Sequence, residues 1–171
     1  ARKSRGLGDV YKRQIEECAP KKRLLKEGDT GDTMVLVFQG QVEVTKNMMV
    51  KTPSGITTSK KPIIRLETTD PLPDSDPVTE STVFVVQAPA FGIGEFSLVL
   101  DNAIRTANVE STTPLKYGIL DLEGFTSIVK KNPEIGGSVY FEVAKSAVNN
   151  LATASADISN LTQAFFFALS R

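Results

Sequence analysis

The sequence predicts a mainly β fold, an antiparallel jelly-roll-like β-barrel followed by C-terminal helices. Three observations carry this expectation. Short runs of β-branched and aromatic residues recur through the first two thirds of the chain, separated by Gly- and Asp-rich turn signals. From residue 121 onward the apolar residues recur at helical spacing instead. No apolar run approaches the roughly 18 residues of a membrane-spanning helix, and the triple phenylalanine at Phe165, Phe166 and Phe167 is far too short.

The elements follow in order. Residues 23–26 are a short apolar-basic run that meets the turn signal EGDTGD at residues 27–32. MVLVFQGQVEVTK comes next, with Leu36, Phe38, Val42 and Val44 on either side of Gln39-Gly40, which predicts a hairpin turn. Residues 42–45 alternate apolar and polar, as a half-buried strand does. Residues 47–81 differ in kind. They hold Pro53, Pro62, Pro71, Pro73 and Pro77, many Ser and Thr, and the acidic stretch DPLPDSDP. Proline is excluded from central strands and this composition buries little. A long flexible surface insertion is expected, with one short strand at residues 63–66. TVFVVQA at residues 82–88 reads as a strand, as do residues 105–111 and 115–120.

Asp121 is placed to cap a helix that carries Phe125, Ile128 and Val129 on one side. Lys130 and Lys131 fall in its last turn, where cations suit the helix dipole. Asn132-Pro133 begins a second helix with proline at its first position. Ile135, Val139, Val143, Ala147 and Leu151 then recur every fourth residue, a stripe expected to pack in a core or on a partner helix. It continues less regularly through Ile158, Leu161 and Phe165. The expected organisation is a barrel over residues 20–120, interrupted by 47–81, with residues 121–171 as helices of the same domain.

Composition narrows the chemistry. The 171 residues include 20 basic and 20 acidic side chains, so no overall charge draws the chain to nucleic acid or to an anionic membrane. There is no histidine. That removes the usual general base, the triads built on it and imidazole metal ligands, including those of the cupin enzymes that share a jelly-roll architecture. Cys18 stands alone and has no partner for an internal disulfide or a thiolate cluster. The stretch RGLGDVYKRQ at residues 5–14 resembles the translation of a sequencing-library adapter, and residues 1–14 are expected to lie outside the domain. Setting aside the five basic residues and one acidic residue of residues 1–14 leaves 15 basic and 19 acidic, a net charge of −4. The chain reads as a fragment at both ends.

The stretch GEFSLVLDNAIRTANV, residues 94–109, carries the chemistry. Gly94 permits close backbone approach and positive φ. Residues 95–100 are long enough for about one helical turn, whose N-terminal N–H groups favour an anion. Asp101 and Asn102 would end the turn, and Arg105 would return toward it as a strand begins. Arginine grips a phosphate bidentately, with geometry that lysine does not reproduce. Glu95, ionised, accepts hydrogen bonds only, so it suits a neutral hydroxyl beside that phosphate. Thr106 adds a hydroxyl that donates or accepts.

This stretch resembles the phosphate-binding cassette of the cyclic nucleotide-binding domain family, whose pattern is close to G-E-x-x-L followed by R-[TSA]-A-x-V. The matching residues are Gly94, Glu95 and Leu98, then Arg105, Thr106, Ala107, Asn108 and Val109. RTANV is similar to cyclic nucleotide-gated channels in particular. LLKEGDTGDTMVLVFQGQVEV resembles the early strands of the family, with glycines matching at Gly28, Gly31 and Gly40. The resemblance covers about residues 20–161. Ile104 stands where many members carry proline, and residues 47–81 exceed the usual connection.

The resemblance implies a ligand, cyclic AMP or cyclic GMP, held by Gly94, Glu95, Phe96, Ser97, Leu98, Arg105, Thr106 and Ala107. Arg105 would pair with the cyclic phosphate and Glu95 would accept from the ribose 2′-hydroxyl. Backbone N–H groups near Ser97 and Leu98 would face the phosphate, and Thr106 would lie near phosphate and purine without deciding the base. The helices after Leu120 resemble the hinge and lid helices. The module would be regulatory and not an enzyme, with neither metal nor a further cofactor. It would be cytoplasmic, or on the cytosolic face of a membrane protein. Its output would be an effector domain in cis or a partner protein, with no direct nucleic-acid contact and no membrane segment of its own. Two alternatives stand beside this reading. One is a degenerate barrel that has lost its ligand and serves as an interaction domain. The other is the sensor fragment of a CRP/FNR-like transcription regulator.

Overall fold

A computed structural model of the chain describes residues 15–70 and 83–170. The adapter-like stretch, residues 1–14, lies outside the described residues, as does most of the acidic proline-rich run, from Pro71 through Pro77. Among the described residues the chain runs β1 (Glu16–Cys18), β2 (Arg23–Leu25), β3 (Thr30–Gly31), β4 (Thr33–Gln39), β5 (Gln41–Thr52), β6 (Gly55–Thr68), β7 (Phe84–Ala88), β8 (Phe91–Ile93), β9 (Ala103–Ile104), β10 (Asn108–Ser111) and β11 (Leu115–Asp121), then α1 (Leu122–Lys131) and α2 (Pro133–Leu169). The mainly β fold with helices at the C-terminus is as expected.

The strands group into two sheets, in the orders β1-β11-β4-β8 and β2-β10-β5-β6-β7, with β3 and β9 forming a small ribbon of their own. The pairings are antiparallel except β6 with β7, which is parallel. Val35, Val37, Leu115 and Tyr117 of the first sheet meet Val42 and Val109 of the second in one buried cluster. Alternate residues along each strand supply it, as the pleat requires. Each fully buried valine or leucine contributes on the order of 1.5–3 kcal/mol relative to exposure.

Two expectations change. Gln39-Gly40 is not a hairpin turn, because β4 and β5 belong to different sheets and the chain crosses between them at Gly40. Gly40 has φ +109°, and a Cβ there would press on the Pro114 carbonyl and the Leu115 side chain. Residues 47–68 are not a flexible insertion. They continue β5 and form β6, a long hairpin paired from Gln41 with Glu67 to Thr52 with Gly55. The expected strand at residues 63–66 lies within β6. The prolines fit because of where they stand. Pro53 lies in the turn, and Pro62 faces Thr45 where the register shifts, and turns, bulges and edges are where strands tolerate proline.

Asp121 caps α1 as its sequence position suggests, its Oδ1 accepting from the Gly124 N–H at 2.7 Å. The division between the chain's two compact units falls between Phe125 and Thr126. α2 has Pro133 at its start after Asn132, whose side chain makes no capping bond. The stripe expected to be core is mostly bare: Val143 is buried and Val139 half-buried, but Ile135, Ala147 and Leu151 are exposed. This helix of 37 residues is about 55 Å long.

Tyr117 ties β1 to β11 by donating its hydroxyl to Glu16 Oε2 at 2.7 Å. That bond, with burial and the neighbouring charge of Glu16 behind it, pushes the Tyr117 pKa up to about 12. The folded state favours the protonated phenol. Its contribution is fully present below the unfolded pKa of about 10 and is lost as pH rises toward the folded value. The difference in thermal midpoint between the native chain and Tyr117→Phe should therefore shrink from about pH 10 to about pH 12. A pH-independent difference would contradict this assignment.

Candidate functional site

The site is built on the small β3–β9 ribbon, where Thr30 pairs with Ile104 and Gly31 with Ala103. The ladder continues one step further. The Arg105 N–H donates to the Asp29 carbonyl at 2.8 Å, and the Gly28 N–H donates to the Arg105 carbonyl at 2.9 Å. Both backbone groups of Arg105 are thus fixed by the turn read as EGDTGD. Arg105 lies between β9 and β10 and does not itself begin a strand, as was expected of it.

Its side chain runs inward and is 8% exposed. Nη1 donates to Ser97 Oγ at 2.7 Å and to the Gly94 carbonyl at 3.4 Å. Nη2 donates to the Thr33 carbonyl at 2.6 Å and to Thr33 Oγ1 at 3.3 Å. A Cβ on Gly31 would lie 2.6 Å from Arg105 Nε, and a Cβ on Gly94 would strike Nη1. The guanidinium is therefore slotted between two glycine backbones, and a side chain at either position would force it to shift. Gly94 also has φ +81°, the left-handed region that glycine enters freely.

Burial lowers the pKa of Arg105 from its ordinary value, while the negative charges of Asp32 and then Glu95 raise it. An arginine remains charged at neutral pH regardless. Such a charge is costly to bury unless acceptors surround it, and here carbonyls, hydroxyls and two nearby carboxylates do.

The sequence-derived residues divide clearly. Gly94, Ser97 and Arg105 converge, and Glu95 lies near enough to act on the guanidinium electrostatically. Glu95–Leu98 forms a single 3-10 turn. Ser97 and Leu98 are buried, Glu95 and Phe96 half-buried, Ala107 half-buried and Thr106 exposed. The Ser97 N–H, expected to face a phosphate, donates instead to the Gly94 carbonyl at 3.1 Å. Asn102, with φ +53°, turns the chain back after the helical turn. Ile104 is exposed.

Sequence reasoning missed two further parts. One is Thr33, whose backbone carbonyl accepts from Arg105 Nη2 at 2.6 Å. A carbonyl carries no residue-type signal, so nothing could have marked it. The other is a polar cluster on the opposite flank. Asn108 Oδ1 accepts from the Glu27 N–H at 3.1 Å, and Asn108 Nδ2 donates to Asn47 Oδ1 at 3.2 Å and to Glu27 Oε2 at 3.4 Å. The Asn47 N–H donates to Glu27 Oε2 at 2.7 Å. This pins the residue preceding Gly28, and so the turn that grips the Arg105 backbone. The signal was present, since asparagine is depleted in strands and Asn108 opens one.

No protein-family model matches the sequence, and no curated protein does. Solved structures do match. The chain is similar to the Thermus thermophilus catabolite activator protein, at 19% identity and a TM-score of 0.59, over 87% of this chain and 55% of that one. It is similar to the N-terminal domain of a transcriptional regulator from Streptomyces coelicolor A3(2), at 21% identity and a TM-score of 0.52, over 80% of this chain and 76% of that one. The chain thus spans little more than half the length of the Thermus protein. At these identities the likeness is one of fold, and the fold is the cyclic nucleotide-binding domain fold that the cassette suggested.

Replacing Asn108 by alanine strands the Glu27 N–H without its acceptor. A buried unsatisfied group costs about 1–3 kcal/mol. Urea unfolding of Asn108→Ala should show a loss of that size, and an unchanged midpoint would refute the role given to the cluster.

Proposed function

We propose that the chain is a regulatory module that binds a 3′,5′-cyclic nucleotide, cyclic AMP or cyclic GMP, at Arg105 and the turn after Gly94. The observation that carries this reading is the convergence of Arg105 on the Gly94 carbonyl and Ser97 Oγ. It joins the two halves of the cassette at one point, in a fold shared with bacterial regulators. In this reading a cyclic phosphate takes acceptor places now filled by protein oxygens, and the planar fork of arginine suits that exchange. Glu95 accepts from the ribose hydroxyl, and Phe96, Leu98, Thr106 and Ala107 border the sugar and base. The module carries out no reaction of its own.

The route outward starts at Thr33. Its carbonyl holds Arg105 Nη2, and its backbone pairs with Asp121, the residue that caps α1. The N–H of Leu122, the first residue of α1, donates to the carbonyl of Asp32 at 3.3 Å. A phosphate that draws Nη2 away from Thr33 alters the anchor of α1 directly. Ligand then shifts a two-state equilibrium by its differential affinity for the two arrangements. The effector, in cis or in a partner protein, reads the change. A transcription-regulator output accords with the two solved structures, and a cytoplasmic location accords with the ligand.

A second reading has an observation of its own. The guanidinium is already supplied with acceptors by Thr33, Gly94 and Ser97, as it would be in a barrel that binds no ligand and serves as an interaction domain. Calorimetric titration separates the two. The native chain should bind cyclic AMP or cyclic GMP, and the stronger of the two names the base. Arg105→Lys should weaken binding about 10-fold or more, the loss of one charge-assisted hydrogen bond. If the native chain binds neither nucleotide, the second reading stands.

A further inference from the structure

The β5–β6 hairpin outruns the sheet it belongs to. β10 pairs with β5 only from Val42 to Thr45, and β7 pairs with β6 only from Ile64 to Thr68. Residues 46–62 therefore form a two-stranded ribbon with both edges unpaired by these neighbours. Over residues 46–52 it extends about 20 Å. A bare two-stranded ribbon is marginal in water, and this one displays large apolar side chains. Met49 is 83% exposed and Ile56 76%, with Met48 and Val50 also exposed.

The charge along the same ribbon has one sign. Residues 46–61 include Lys46, Lys51, Lys60 and Lys61 and no acidic residue, in a chain whose formal net charge is zero. Lys60 reaches Glu110 at 3.7 Å. Lysines on an open edge also guard against strand addition. That accounts for the charges but not for Met49 and Ile56 beside them, which such a guard would avoid. The cross-strand pairs sort the residues. Lys46 opposes Lys61 at the base of the ribbon, and Lys51 opposes Ile56 near its tip. Met49 and Ile56 stand out from the ribbon into solvent. Lysine stems lie along apolar surface while their ammonium groups reach outward. That combination suits a soft, anionic, amphipathic boundary.

We propose that the β5–β6 ribbon docks on an anionic lipid surface, with Met49 and Ile56 entering the headgroup boundary and the lysines meeting lipid phosphates and carboxylates. The ribbon would then be a peripheral anchor, independent of whether a nucleotide binds at Arg105.

Flotation of the full chain with lipid vesicles tests this. The native chain should float with vesicles of phosphatidylcholine mixed with phosphatidylserine, and not with phosphatidylcholine alone. Each lysine at such a surface is worth about fivefold in partitioning. Lys51→Glu reverses the charge on the face that carries Met49 and Ile56, and should cut binding about tenfold or more. Met49→Glu with Ile56→Glu should do the same, with thermal unfolding unchanged in both variants. The proposal is overturned if the native chain does not float with the anionic vesicles. It is equally overturned if both variants float as the native chain does. Binding to polyglutamate or duplex DNA in place of the vesicles would also overturn it.

Discussion

A buried positive charge organises the candidate site. Removing a guanidinium from water is tolerable only when its donors find acceptors and opposite charge lies near. Arg105 meets both conditions through the Thr33 and Gly94 carbonyls, the Ser97 and Thr33 hydroxyls, and the nearby Asp32 and Glu95. Those partners come from segments far apart in sequence. The β3–β4 corner, the turn after β8 and the strand ribbon before β10 are therefore held in mutual register by one side chain. Gly31 and Gly94 follow from the same constraint, since a side chain at either position would occupy the space of the guanidinium.

That arrangement carries the proposed switching. An arginine satisfied by protein oxygens alone is stable without ligand, yet phosphate oxygens are stronger acceptors for it than a carbonyl or a hydroxyl. Exchange between the two sets of acceptors is a choice between two definite arrangements. Thr33 belongs to the first set and also pairs with Asp121 at the root of α1. The Asn108, Asn47 and Glu27 cluster holds the backbone side of Arg105 still, so that its side chain, and not its backbone, is the part free to change partners. Beyond Asn47 the β5–β6 ribbon takes no part in this arrangement, and its exposed Met49 and Ile56 bear only on the proposed docking.

Much of this was legible in the residues. Gly94 and Arg105 were marked by type and spacing and Ser97 by the family resemblance, and the three do meet. Asp121 declared the start of α1, and Pro133 the start of α2. The failures have physical causes. Gln39-Gly40 has the composition of a turn, but a positive-φ glycine serves a sheet-to-sheet corner equally well, and only tertiary contacts with Pro114 and Leu115 separate the two. The prolines and threonines of residues 47–68 suggested an insertion because composition does not reveal that Pro53 occupies a turn and Pro62 a register shift. The apolar stripe of α2 has the periodicity of a core helix, yet periodicity does not say what covers it. Thr33 acts through its carbonyl, which every residue possesses, so sequence had no means of singling it out.

The claim on which the account turns is that Arg105 exchanges protein acceptors for a cyclic phosphate. A crystal structure grown with saturating cyclic AMP, and a second with cyclic GMP, tests it most directly. The account predicts phosphate oxygens in hydrogen-bonding contact with Arg105 Nη1 or Nη2, the Thr33 carbonyl contact opened, and Glu95 on the ribose hydroxyl. Arg105 still bonded to Thr33, Gly94 and Ser97, with no nucleotide between it and Glu95 in either crystal, would contradict it.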